Sequence, residues 1–224
     1  AAVARELAAA GNHVVAHANR NTAAAEATAE AIRAAGGSAE VLALDLLDRE
    51  SAAVLAELAA EQPFQILVHC VGGHRDMPFA AMSPEDWSDI VELNLNTLFT
   101  ALRPIVLPMM RCRWGRIVAV SSLTAVTGNR GQSNYAAAKG GLLAMMKSLT
   151  REYGSRGLTA NVVAPGLIDT PETEALGNYR ELVRLCPAGR AGTPAEVAAL
   201  IRFLASDEAG YISGQLIAVD GGTS

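Results

Sequence analysis

The chain folds as a doubly wound parallel α/β sheet, and three observations predict it. Short apolar runs alternate with longer amphipathic ones along all 224 residues. The short runs are apolar throughout rather than at every second position, as strands buried on both faces are. No linker, repeat or low-complexity segment divides the chain, so residues 1–224 form a single domain.

The elements follow in order. Ala1 to Leu7 is already helical, without an N-cap residue, and Gly11 stops it. His13 to Ala18 is a buried strand, Asn21 to Ala35 a helix ended by Gly36-Gly37, and Glu40 to Leu44 a strand closed by Asp45. Asp48 to Glu61 is amphipathic and helical, and Gln65 to Cys70 is an apolar strand running into Gly72-Gly73. A long helix covers Pro84 to Arg111, a strand Arg116 to Ser121, and a further helix begins near Asn134. Thr159 to Val163 and Gln215 to Val219 are the remaining strands, and Pro165 to Arg190 is a polar, irregular stretch suited to a lid.

Composition excludes several functions. A formal net charge of -5 argues against a nucleic-acid binder, which concentrates Lys and Arg against phosphates. Cys70, Cys112 and Cys186 have neither disulfide nor metal spacing, which points to a reducing compartment. Apolar runs such as Ile117 to Gly128 are too short to span a bilayer, and the expected location is cytoplasmic, with no membrane partner. Half of the residues are hydrophobic, enough for a large core.

In an open parallel sheet, ligands bind at the carboxyl ends of the strands. The residues there are Asn19-Arg20, Asp45, Cys70 to Gly73, Ser121-Ser122 and Pro165-Gly166. Tyr135 and Lys139 are four apart on a helix and share one face. A lysine ammonium near a phenol stabilises the phenolate and brings a pKa of about 10 toward neutrality. Ser122, thirteen residues before Tyr135, can hold a substrate oxygen beside that phenol.

This arrangement of Ser122 with Tyr135-x-x-x-Lys139 resembles the signature of the short-chain dehydrogenase/reductase family, whose fold is Rossmann-like. Asn94 in Glu92-Leu93-Asn94-Leu95, Pro165-Gly166 and Asp220-Gly221-Gly222 are similar to further family motifs, so the likeness covers essentially the whole chain. It implies that Tyr135 is the general acid, that Lys139 lowers its pKa and binds the nicotinamide ribose, and that Ser122 orients the carbonyl. Asn94 is implied to hold a water linking Lys139 to solvent. Taken as a residue alone, Asn94 reads instead as a helix side chain bonded to nearby backbone.

The family likeness makes the cofactor NADP(H). Ala18-Asn19-Arg20-Asn21 lacks the acidic residue of NAD-selective members, and Arg20 suits the additional phosphate. Asp45 is implied to contact the adenine amino group, with Leu46 packing along the ring. Cys70, Val71 and Gly72 offer backbone to the cofactor, and Pro165, Gly166, Ile168 and Thr170 complete its site. The family usually reads Asn-Asn-Ala-Gly where this chain has His69-Cys70-Val71-Gly72, a departure that bears on local rigidity. Cys70 reads as a packed small hydrophobe, and neither His69 nor His74 has a carboxylate at an obvious spacing.

Within the family, residues Gly128 to Tyr135 and Arg151 to Gly157 are most similar to 3-oxoacyl-(acyl-carrier-protein) reductases. That likeness implies an acyl carrier protein as partner, docking on Arg113 and Arg156 as a basic patch beside the active-site mouth, and a homotetramer. The competing readings are a reductase of a small free ketone, sugar or steroid, and a non-catalytic subunit of a reductase assembly. The family's first strand and its glycine-rich loop have no counterpart in the sequence and are expected immediately upstream of Ala1.

Overall fold

The computed structural model describes residues 1–48 and 50–224. Chain order is α1 (Ala2–Ala9), β1 (His13–Ala18), α2 (Thr22–Ala34), β2 (Ser38–Ala43), α3 (Ser51–Glu61), β3 (Ile66–His69), α4 (Pro84–Val91), α5 (Thr97–Arg111) and β4 (Gly115–Val120). Then come α6 (Thr124–Thr127), α7 (Ser133–Tyr153), β5 (Leu158–Pro165), α8 (Pro171–Glu174), α9 (Tyr179–Leu185), α10 (Pro194–Leu204) and β6 (Leu216–Val219). Every strand pairing is parallel. The strands form a pair, β1-β2, and a sheet of order β3-β4-β5-β6. No ladder joins the two among the described residues, so β1 and β3 each keep one edge without a strand partner.

The four-stranded sheet is covered on both faces, which is why its strands carry apolar residues at successive positions. Ile117 and Ala119 of β4 and Ala160 and Val162 of β5 face a layer built from α3, α5 and α7, with Leu98, Leu102, Ile105, Met109, Leu142 and Met146 fully buried against them. Val118 and Val163, one residue out of phase, face Val197, Ile201 and Leu204 of α10. Each such large side chain contributes about 2 kcal/mol of burial before entropy is counted. α2 covers the β1-β2 pair through Ala29 and Ile32.

One sequence expectation is corrected, and two features are added. The stretch Pro165 to Arg190 is not wholly irregular, since it contains α8 and α9. α10 was not anticipated, although Thr193 caps it in a capping box with Glu196 and Pro194 opens it. The helical run Pro84–Arg111 is, by length and hydropathy, able to cross a bilayer. One face of it, with Leu98, Leu102, Ile105 and Met109, instead packs in the core, while Phe99 and Leu107 stay exposed.

Candidate functional site

α7 sets the centre of the site. Its buried residues Ala138, Lys139, Leu142 and Met146 lie on one stripe that seats the helix against the sheet, and the stripe carries Lys139 to the carboxyl end of β4. The Lys139 ammonium donates to the carbonyls of Val71 (3.2 Å) and Val120 (3.0 Å), while Ser121 Oγ donates to the Lys139 carbonyl (3.0 Å). Tyr135 lies one turn earlier, with Lys139 Nζ 5.9 Å from its ring centroid. Ser122 follows β4, accepts a hydrogen bond from the Thr124 N–H (3.2 Å), and sits beside the phenol.

Between β3 and α4 the chain makes the glycine turn Gly72-Gly73. A Cβ on Gly72 would come within 2.7 Å of Asn94 Oδ1 and 2.8 Å of Lys139 Nζ, so only glycine leaves backbone exposed at this point. Asn94 is fully buried in the single turn of π-helix Glu92–Asn96 that joins α4 to α5. It accepts from Gly73 N–H (3.2 Å) and donates to Gly73 O (2.8 Å) and Ile90 O (2.9 Å). The backbone-bonded reading of Asn94 is therefore the observed geometry, and it clamps the glycine turn against Lys139.

The electrostatics differ from expectation. Burial, then the charge of Asp76, raise the Tyr135 pKa above its ordinary value, and Ser122 opposes them only in part. Lys139 is not among the groups that set it; burial lowers the lysine's own pKa to about 8, and its ammonium donates to main-chain carbonyls. Tyr135 thus stays a protonated donor at neutral pH. His69 is buried, with its pKa lowered to about 3 by desolvation and then by Lys139 and His17. Its Nε2 is 2.9 Å from Thr97 Oγ1, whose hydroxyl donates to Leu93 O. The imidazole must then donate from Nε2, and Nδ1 is left with no partner among the described residues.

Asn19 and Arg20 are exposed just after β1. Asp45 follows β2 and accepts from Leu47 N–H (3.0 Å). Leu46, expected along a bound ring, is instead 8% exposed and packed into the core with Leu55, because that turn folds back under α3. Cys70 is exposed beside the unpartnered edge of β3 rather than packed, although its depth in the molecule raises its pKa. Val71 supplies its carbonyl to Lys139. Gly166 N–H donates to Val219 O (3.0 Å), Ile168 bridges to Gly192, and Thr170 caps α8, so Pro165 to Thr170 forms the wall after β5.

Arg113 and Arg156 come together, but not beside this site. A Cβ on Gly157 would strike the Arg113 carbonyl, so the two loops meet backbone to backbone, and with Arg111, Leu107 and Met110 they line a cleft of about 360 Å³. Both precede their strands, β4 and β5, whereas Ser122 follows β4. The cleft is at the opposite end of the sheet, roughly 20 Å away at ~3.3 Å per strand residue.

Ser122, Tyr135, Lys139, Gly72 and Asn94 meet at the carboxyl ends of β3 and β4, where a doubly wound sheet binds its ligand. A family model described as enoyl-(acyl carrier protein) reductase matches residues 1–224. The chain belongs to the short-chain dehydrogenase/reductase family. It is an oxidoreductase of the 3-oxoacyl-(acyl-carrier-protein) reductase-like kind. It is 41% identical over 224 residues to the 3-oxoacyl-(acyl-carrier-protein) reductase FabG of Aggregatibacter actinomycetemcomitans, covering 99% of this chain and 93% of that one. The FabG of Escherichia coli (strain K12) is 42% identical over 226 residues, covering 99% and 91%. A crystal structure assigned provisionally as a gluconate dehydrogenase of Agrobacterium tumefaciens superposes with a TM-score of 0.93 at 28% identity, covering 99% of this chain and 90% of that one.

This short-chain oxidoreductase carries the family's Ser, Tyr, Lys and Asn, and the family implies a nicotinamide cofactor. The open backbone at Gly72, beside the remaining donor capacity of Lys139, fits a ribose and nicotinamide there. Asp76, Gln132 and Thr97 escaped the sequence reading. Only Gln132, within the matched stretch Gly128 to Tyr135, had a local signal.

Proposed function

We infer that the protein reduces a 3-oxoacyl thioester on acyl carrier protein to the 3-hydroxyacyl form with NADPH. The convergence of Ser122, Tyr135 and Lys139 on the Gly72 turn carries this reading, and the FabG relatives support its substrate. Ser122 and Tyr135 donate to the ketone oxygen, and Tyr135 passes its proton to that oxygen as the alcohol forms. A bound NADPH supplies hydride to the carbonyl carbon. The raised pKa of Tyr135 suits a group that must hold its proton until the oxygen becomes basic.

Lys139 holds the ribose side of the site and returns a proton to Tyr135, with Asn94 keeping a solvent path at the glycine turn. Asn19 and Arg20 grip the additional phosphate, Asp45 the adenine, and the backbone of Cys70, Val71 and Gly72 with Pro165, Gly166, Ile168 and Thr170 lines the remainder. Leu46 contributes only by supporting that wall. The protein works in the cytoplasm, as one domain and as a homotetramer. Phe99 and Leu107, each 57% exposed on one face of α5, are its contact surface. Antiparallel pairing of α5 with its mate carries the mate's Arg113 and Arg156 toward this subunit's Tyr135, and so reconciles carrier docking with their position at the far end of the sheet.

A second reading, reduction of a small sugar-like ketone, draws on the 28% identity to the assigned gluconate dehydrogenase. Oxidation of NADPH, followed by absorbance, is expected with an acetoacetyl thioester and overturns the main reading if only free sugars are turned over.

A further inference from the structure

Beside Tyr135 stands a second polar group that the family signature does not include. The imidazole of His74 meets the Tyr135 ring edge-on, centroids 6.1 Å apart at an interplanar angle of 67°. Its Nδ1 is 2.8 Å from Asp76 Oδ1. Asp76 is itself pinned, because Gln132 Nε2 donates to both of its oxygens at 2.9 Å. Gln132 is buried, and its Oε1 accepts from Thr124 Oγ1 (3.2 Å) and Asn129 Nδ2 (3.1 Å). A chain of hydrogen bonds therefore runs from a buried amide through a carboxylate to an imidazole at the surface.

That chain fixes the orientation of the ring. A carboxylate only accepts, so Nδ1 carries a proton, and the opposite edge, Nε2, has no partner among the described residues. The side chain is 60% exposed, on the open side of Tyr135. Arg75, the other cation on this loop, is turned away into ion pairs with Asp86 (2.6 Å) and Asp89 (3.5 Å). His74, held by Asp76 through Nδ1, is left as the polar side chain of this loop beside Tyr135.

We propose that His74 is a specificity-determining residue, whose free ring edge makes a polar contact with the substrate two carbons from the carbonyl held by Tyr135. With the ring centroids 6.1 Å apart, one small 1,3-dioxygenated unit is of a size to meet both side chains. That unit is the head of a 3-oxoacyl group, so the inference rests on the reductase reading and deepens it. The contacted group is either a thioester carbonyl or a free carboxylate.

The test compares kcat/KM for an acetoacetyl thioester, for acetoacetate and for cyclohexanone in the full-length protein and in His74→Ala and His74→Gln. In His74→Ala the ratio of dioxygenated substrate to cyclohexanone is expected to fall about tenfold, mainly through KM, as loss of one hydrogen bond predicts. His74→Gln, which restores a polar side chain, is expected to recover most of it. A fall confined to the thioester identifies the carrier-bound form as the partner of His74, and one confined to acetoacetate identifies the free acid. An unchanged ratio in a wild-type protein that reduces these ketones overturns the role of His74 alone. Failure of the wild type to reduce any of them overturns the reductase reading and this inference with it.

Discussion

Replacing His69 with Asn, the residue the family usually carries there, should remove a large part of the protein's acid sensitivity. The folded pKa of about 3 lies below the ordinary 6.5 because burial, then Lys139 and His17, disfavour the imidazolium. A histidine whose folded pKa is lowered binds fewer protons folded than unfolded between those values, so stability is complete above about pH 6.5 and falls as pH drops toward 3. At pH 5 the unfolded chain gains from protonation by a factor of about 30, which is about 2 kcal/mol, and the full span amounts to about 5 kcal/mol. Urea titrations of both proteins at pH 7.5 and pH 5 read this directly. The variant starts lower, by about 1 to 3 kcal/mol for the lost bond to Thr97, but its loss between the two pH values should be smaller by about 2 kcal/mol. Parallel pH dependences within about 0.5 kcal/mol would refute burial of a neutral His69.

Four further outcomes follow from the site. Tyr135→Phe should abolish turnover while leaving NADPH binding nearly intact, since the acid is lost and the volume kept; retention of a tenth of the activity sinks that assignment. Removing the charge of Arg20 should weaken NADPH binding far more than NADH binding, by fluorescence titration, and equal losses exclude a phosphate contact. Charge reversal at Arg113 and Arg156 should raise KM for a carrier-bound substrate and spare a small thioester analogue; equal effects on both point to misfolding or to a different docking face. Phe99→Glu with Leu107→Glu on α5 should lower the mass seen in light scattering, and an unchanged mass places the subunit contacts elsewhere.

The parts of the fold visible in sequence are those set by burial. β4 and β5 carry apolar residues at successive positions, Ile117 to Val120 and Val162 to Ala164, because neighbours such as Ile117 and Val118 face opposite helix layers, and that pattern announces a parallel sheet without any knowledge of the helices involved. Helix spacing alone put Tyr135 and Lys139 on one face, and they share it. What spacing could not supply was the direction of the charge effects. The expected lowering of the Tyr135 pKa assumed that proximity to an ammonium decides the matter, but Lys139 spends its donors on Val71 and Val120, while Asp76 arrives from a loop 59 positions earlier in the chain. The placing of Arg113 and Arg156 failed for a related reason: each stands beside a strand that leads to the site, and only the direction of that strand says whether the residue lies at its near or far end. In a parallel sheet the rule is simple once the strands are known, because residues before a strand cannot reach a ligand bound after it within the same subunit. Any function given to those two arginines at the Tyr135 end therefore carries a requirement on the assembly, that a neighbouring copy bring them there.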